Sequence, residues 1–137
     1  MAILVDTGVA LSAADRDEPR HPDCAEVMRA YHGELVMAAP VVAETAWMIE
    51  SRLGPAAESR FVRLVATGEL EVADLALEDY RRCAELIDIY ADMGLGLVDA
   101  SVVIIAERLG ATTIATLNRR DFAVVRPRHV DAFELLP

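Results

Sequence analysis

The chain contains no lysine; all 13 of its basic residues are arginine. That absence excludes a lysine Schiff base, a phosphate-binding loop built on lysine, and a receiver-type signalling pocket that needs one. Cysteine is almost as scarce. Cys24 and Cys83 stand far apart with no metal-ligand spacing around them, so both read as small core residues in a reducing compartment. Long apolar runs are missing too. The longest candidate, "LVMAAPVVAETAWMI", is broken by Pro40 and Glu44 and falls short of the roughly 18 residues of a membrane span. No basic region precedes the apolar N-terminal residues, so neither a signal nor a transit peptide is expected, and the chain reads as cytoplasmic with no membrane partner.

Positive charge is in deficit overall. The net charge of -10 and the pI near 4.6 argue against general, sequence-blind affinity for nucleic acid. The deficit is uneven, however. Between Thr116 and Arg128 lie Arg119, Arg120, Arg126 and Arg128 against one acid, Asp121. From charge alone this strip reads equally as a solvated loop with a few surface ion pairs or as a contact for phosphates.

Length and an apolar content of 54% are enough for one globular domain over residues 1–137 with a sizeable core. Residues 2–6 read as a buried strand and 7–14 as a helix, followed by the proline-broken loop "DRDEPRHPD". Residues 23–32 form an amphipathic helix, "ELVMAA" a second strand, and Pro40 to about Leu53 a helix ended by "LGP". Further helices are expected over 55–66, 77–91 and from about Val98 to Gly110. "LEVADL" and "TTIAT" supply further strands, with "FAVV" as a candidate fifth. Met37, Trp47 and Met48 read as core; His21, His32 and His129 fit no ligand spacing and read as surface residues. Uniformly apolar strands alternating with helices indicate an α/β fold in which helices cover both faces of a mostly parallel sheet of four to five strands. Ligands in such sheets sit beyond the carboxyl ends of the strands, where Asp6 and Thr116 both fall.

The triplet "DTG" at Asp6 also occurs at the catalytic acid of aspartic proteases. Those enzymes pair two such triplets in β-rich structures, and this chain has one copy and is mostly helical. Two further acids stand on apolar helix stripes. Glu44 shares a face with Val41, Thr45 and Met48, and Asp99 with Val102, Val103 and Ala106. A single inward carboxylate is most simply bonded to a helix start or an arginine. Three of them repel one another near neutral pH unless a cation sits between them. Oxygen donors without adjacent histidine or cysteine select Mg2+ or Mn2+ over zinc. The loop "TLNRRDF" adds the Thr116 hydroxyl and the side-chain oxygens of Asn118 and Asp121, with Arg119 and Arg120 placed between them to meet a phosphate.

Taken in order, "LVDTGVAL", "APVVAETAWMI", "YADMGLGLVDASVVIIAERLG" and "ATLNRRDFAVVRP" resemble the PIN-domain nucleases, and among them the VapC-type toxins of toxin-antitoxin pairs. The resemblance implies a three-layer α/β/α PIN-like fold. It implies Asp6, Glu44 and Asp99 as metal-binding catalytic acids. The fourth acid falls at Asn118, where the family commonly has aspartate, with Asp121 as the substitute. Thr7 and Thr116 match supporting hydroxyls that bond the acids or bound water, Arg119 and Arg120 are placed to contact RNA, and Asp92 matches a structural position. Gly94 stands where relatives often carry proline. The implied activity is Mg2+-dependent hydrolysis of RNA phosphodiester bonds, with Mn2+ able to substitute, leaving a 5'-phosphate and a 3'-hydroxyl. The implied partners are a structured RNA such as tRNA or rRNA, a VapB-like antitoxin and a second copy in a homodimer. A PIN nuclease in RNA processing or structured-DNA cleavage, and a PIN binding module without catalysis, are the rival readings.

Overall fold

The computed structural model describes all residues from Met1 to Pro137. In chain order the elements are β1 (Ile3–Val5), α1 (Thr7–Ala14), α2 (His21–Ala30), β2 (Leu35–Ala38), α3 (Ala39–Leu53), α4 (Pro55–Ala66), β3 (Glu71–Ala73), α5 (Leu77–Ile89), a 3-10 turn (Ala91–Met93), α6 (Leu97–Leu109), β4 (Thr113–Ala115), α7 (Arg119–Val124) and β5 (Glu134–Leu136). The five strands form one sheet in the order β3-β2-β1-β4-β5, and every pairing is parallel. The chain moves outward from β1 through β2 to β3, then crosses back to β4 and β5 on the other side. The reversal places a crevice between the carboxyl ends of the central strands β1 and β4. Helices separate the successive strands, with α1 packed on α2 and α3, α3 on α4, and α5 on α6, so that helical layers flank the sheet.

The central strands are buried on both faces, which explains their uninterrupted apolar sequences. Ile3, Leu4 and Val5 of β1 and Ile114 and Ala115 of β4 are fully enclosed. α6 covers this centre with a nearly continuous buried run from Ala100 to Ala106. Cys24 and Cys83 are free thiols inside the core, as expected of small apolar residues. α3 starts directly where β2 ends, has Pro40 in its first turn and stops at Gly54, whose φ of 89° suits a residue without a side chain. No helix is long and apolar enough to cross a membrane.

Three expectations need correction. "FAVV" is not a strand: its first three residues close α7 and Val125 follows as the cap, with Phe122 and Val125 buried while Ala123 and Val124 between them are exposed. That is helical spacing, hidden because all four residues are apolar. The fifth strand is instead Glu134–Leu136, three residues long and only partly buried, too short to show a period. Trp47 is 66% exposed, whereas Met37 is fully buried. Trp47 lies on the far side of α3 from the buried stripe Val41, Thr45 and Ile49, beyond Glu44. His21 and His129 are half-buried and tie loops down: a ring nitrogen of each lies against a backbone carbonyl, that of Ser12 at 2.8 Å and that of Ala111 at 2.5 Å.

Candidate metal centre

Asp6 occupies the position where β1 ends and α1 begins. Its backbone N–H donates to Ala115 O at 2.9 Å, continuing the ladder with β4, while its side chain caps α1 by accepting the Thr7 N–H at 2.8 Å through Oδ1. The other oxygen, Oδ2, accepts the Thr116 hydroxyl at 2.8 Å. The carboxylate is therefore held at both oxygens, and it is 94% withdrawn from solvent, with 6% of its surface exposed. Burial raises its pKa above the ordinary carboxylate value; the Thr116 and Thr7 hydrogen bonds oppose the shift, and Glu44 adds to it.

Glu44 reaches the same place from the second turn of α3, and Asp99 from the first turn of α6. Both helices start at the carboxyl edge of the sheet, so the three acids from three elements line one pocket of about 430 Å³ together with Thr7, Gly8, Met48, Leu117 and Asn118. Asp99 is pushed up to about 6, first by burial and then by the negative charges of Asp6, Asp121 and Glu44. A helix start favours an anion, yet here burial and three neighbouring acids win. Asp99 is thus poised to change charge near neutral pH, as functional carboxylates in clefts often are.

Thr116 and Asn118 organise the other wall. The Thr116 hydroxyl donates to Asp6 and accepts the Asn118 N–H at 2.9 Å. The Asn118 amide in turn donates to Asp121 Oδ2 at 3.0 Å. Asn118 therefore faces the pocket while Asp121 stands behind it, close enough to Asp99 to raise its pKa. Thr7 differs from expectation in one respect. Its backbone N–H, not its hydroxyl, bonds Asp6, and Thr7 Oγ1 is buried beside the pocket with no partner.

These residues fit a hydrated divalent cation. The donor set is all oxygen, which suits Mg2+ or Mn2+. The orphan Thr7 hydroxyl would be satisfied by a water in the pocket. No three acidic, histidine or cysteine side chains close on a single point tightly enough to chelate by themselves.

The two candidate phosphate-binding arginines part company. Arg119 is engaged with backbone carbonyls of the C-terminal segment, whereas Arg120 is exposed and its guanidinium joins no hydrogen bond or ion pair. Asp92 lies exposed on the 3-10 turn, outside the pocket. The neighbouring Gly94 has a φ of 76°, which proline cannot adopt. Gly8 and Leu117 were not evident as site residues from the sequence. Leu117 could be found only from its place between Thr116 and Asn118; Met48, which reads as core, instead lines the pocket one turn beyond Glu44.

Comparison with known proteins identifies the family. Residues 3–126 match the PIN domain family. Over 135 residues, 98% of this chain and 100% of the relative, the sequence is 32% identical to Ribonuclease VapC26 of Mycobacterium tuberculosis (strain ATCC 25618 / H37Rv). Among solved structures, Mycobacterium tuberculosis VapC20, described as a sarcin-ricin loop cleaving toxin, superposes with a TM-score of 0.77 at 16% identity, covering 82% of this chain and 87% of that one. Rickettsia felis VapBC2, bound to a DNA fragment from its promoter, superposes with a TM-score of 0.70 at 16% identity over 100% of both chains. At that level of identity the two structures bear on the fold.

Proposed function

The chain belongs to the PIN-domain family, and on that premise we propose that it is a VapC-type toxin, a metal-dependent endoribonuclease restrained by a cognate VapB-like antitoxin. The observation that carries this reading is the meeting of Asp6, Glu44 and Asp99 in one pocket at the crevice between β1 and β4. Three carboxylates there are mutually repulsive unless a cation joins them. When bound, Mg2+ or Mn2+ supplies a Lewis acid for the phosphoryl oxygens and makes an attacking water more acidic.

The chain's own residues do the rest. Asp6, fixed at both oxygens by Thr7 and Thr116, is oriented in advance, so no ordering is required of it when the cation binds. Asp99, whose pKa burial and its acidic neighbours raise to about 6, is mostly ionised at neutral pH and would offer a negative oxygen to the cation. Glu44 closes the side of the pocket formed by α3, and Asp121 adds negative charge from behind Asn118. Arg120 offers an uncommitted guanidinium to the RNA backbone. A net charge of -10 repels bulk nucleic acid, so binding concentrates where cation and arginine outweigh that repulsion, which favours a few structured targets such as tRNA or rRNA. The same anionic pocket suits an arginine or lysine from the antitoxin as an inhibitory plug. A homodimer completes the proposed assembly.

The deciding experiment incubates purified wild type and Asp99→Ala with total cellular RNA in Mg2+ or Mn2+, and again with chelator. Discrete fragments that require both Asp99 and the metal are expected. Equal cutting by the two proteins, or cutting unaffected by chelator, would overturn the assignment.

A further inference from the structure

We propose that Arg119 is a positioning residue: it clamps the C-terminal strand against the site loop and thereby sets the Thr116 hydroxyl that holds Asp6. The proposal rests on reading the acid pocket as a metal-dependent nuclease site, and it assigns to Arg119 a task other than the RNA contact its position in "TLNRRDF" suggests.

Consecutive carbonyls of the last strand carry the connection. Leu136 O accepts the Thr116 N–H at 2.8 Å, on the side of β5 that faces β4. The Leu135 carbonyl alternates with it and points to the opposite side, where the sheet has no further strand, and Pro137 lies just beyond the strand. An open edge of this kind leaves carbonyls without partners unless a side chain covers them. Arg119 Nη1 does so, donating to Pro137 O at 2.8 Å and to Leu135 O at 3.4 Å. β5 is three residues long and pairs with β4 alone, so its hold on the sheet is slight without this clamp.

What β5 holds is the part of the loop that matters. Thr116 is fixed through its N–H by β5, and its hydroxyl then donates to Asp6 and accepts from the Asn118 N–H. A line of hydrogen bonds thus runs from Arg119 through β5 to Thr116 and on to Asp6. Arg119 is the residue next to Asn118, so both ends of the loop are tied to the same strand. Residues that orient a metal-binding carboxylate at one remove typically change metal affinity or activity by about 10- to 100-fold when lost.

The test compares Arg119→Ala, Arg119→Lys, Arg120→Ala, Thr116→Val and the double variant Arg119→Ala/Thr116→Val. Mn2+ affinity is measured by calorimetry without RNA, and kcat and KM are measured on a cleaved RNA. Arg119→Ala should weaken Mn2+ binding and lower kcat by about tenfold with KM unchanged, and lysine should restore most of both. Arg120→Ala should raise KM and flatten its salt dependence with Mn2+ affinity intact. The double variant should be no worse than Thr116→Val alone, because both changes cut the same line. If Arg119→Ala raises KM and leaves Mn2+ affinity unchanged, Arg119 is an RNA contact and the clamp is wrong. Should the alanine variant not fold, Arg119→Gln and Arg119→Lys carry the same comparison: glutamine should lose Mn2+ affinity and lysine keep most of it, and an unchanged affinity in the glutamine variant overturns the clamp. A wild type that binds Mn2+ through an Arg119-dependent site yet cuts no RNA sinks the nuclease reading alone; one that cuts RNA with Arg119-independent metal binding sinks the clamp alone. Absence of both metal binding and cutting overturns both.

Discussion

Thr116 and Asp6, 110 residues apart in the chain, meet through their side chains: the Thr116 hydroxyl donates to Asp6 Oδ2 at 2.8 Å where β4 and β1 end side by side. Replacing Thr116 with valine keeps the shape, removes the donor to Asp6 and leaves the Asn118 N–H without its acceptor. The unmet buried groups should cost about 1–3 kcal/mol of stability, read by urea denaturation, and cleavage should fall sharply. Thr116→Ser, which retains the hydroxyl, should recover both. Valine behaving like wild type in cleavage would mean that Asp6 needs no such partner.

The metal-free protein should become more stable on mild acidification. Asp99 titrates at about 6 in the folded protein against an ordinary 3.8, so the folded state takes up its proton first. The destabilisation from its charge is fully present above about 6, and it is relieved as pH falls through 6 and is gone below the unfolded value near 4. Two units would correspond to about 3 kcal/mol, and solvent screening at this partly exposed group reduces that to about 1–2 kcal/mol. The raised pKa of Asp6 acts in the same direction. Melting curves between pH 7.5 and 5 in chelator should show the gain, and Asp99→Asn should remove most of it while raising the melting temperature at pH 7.5. Saturating Mg2+ should reverse the slope, since protonation then competes with the cation.

Asn118→Asp offers a separate check. The Asn118 amide now donates to Asp121 Oδ2 at 3.0 Å; aspartate would set two carboxylates against each other. Lower stability without metal, by about 1 kcal/mol or more, and tighter Mn2+ binding are expected from calorimetry and melting curves. Between the alanine variants, Asp121→Ala should weaken metal binding more than Asn118→Ala, because it removes a formal charge felt at Asp99. The reverse order would make Asn118 the more important donor.

Trp47 and Met37 should respond oppositely to alanine. Trp47 is largely exposed and Met37 fully buried, so Trp47→Ala should change stability by less than about 0.5 kcal/mol and Met37→Ala should cost about 2–5 kcal/mol. Chemical denaturation decides. A large loss at Trp47 would mean that its ring is covered in solution.

Much of the fold was legible because local pattern and tertiary demand coincide. Apolar runs such as "ILV" can be placed only inside a sheet covered on both faces, and Pro40 and Gly54 mark the start and stop of α3 for backbone reasons that need no neighbours. "FAVV" resembles a strand because an all-apolar stretch carries no period, and β5 gives no signal because it is three residues long. Trp47 shows that hydrophobicity is not burial: its helical angle lies away from the stripe formed by Val41, Thr45 and Ile49.

The acids divide along the same line. By itself the sequence set Asp6, Glu44 and Asp99 beside apolar residues and made the donors oxygens, because side-chain facing and donor chemistry follow from local spacing and residue type. Only the tertiary structure decided which groups hold them. The parallel pairing of β1 with β4 brings Thr116 to Asp6, the start of α6 brings Asp99 under the influence of Asp121, and the edge position of β5 takes up Arg119 while leaving Arg120 uncommitted. Hydrogen bonds of about 3 Å depend on the relative placement of distant elements, and no local pattern encodes that placement.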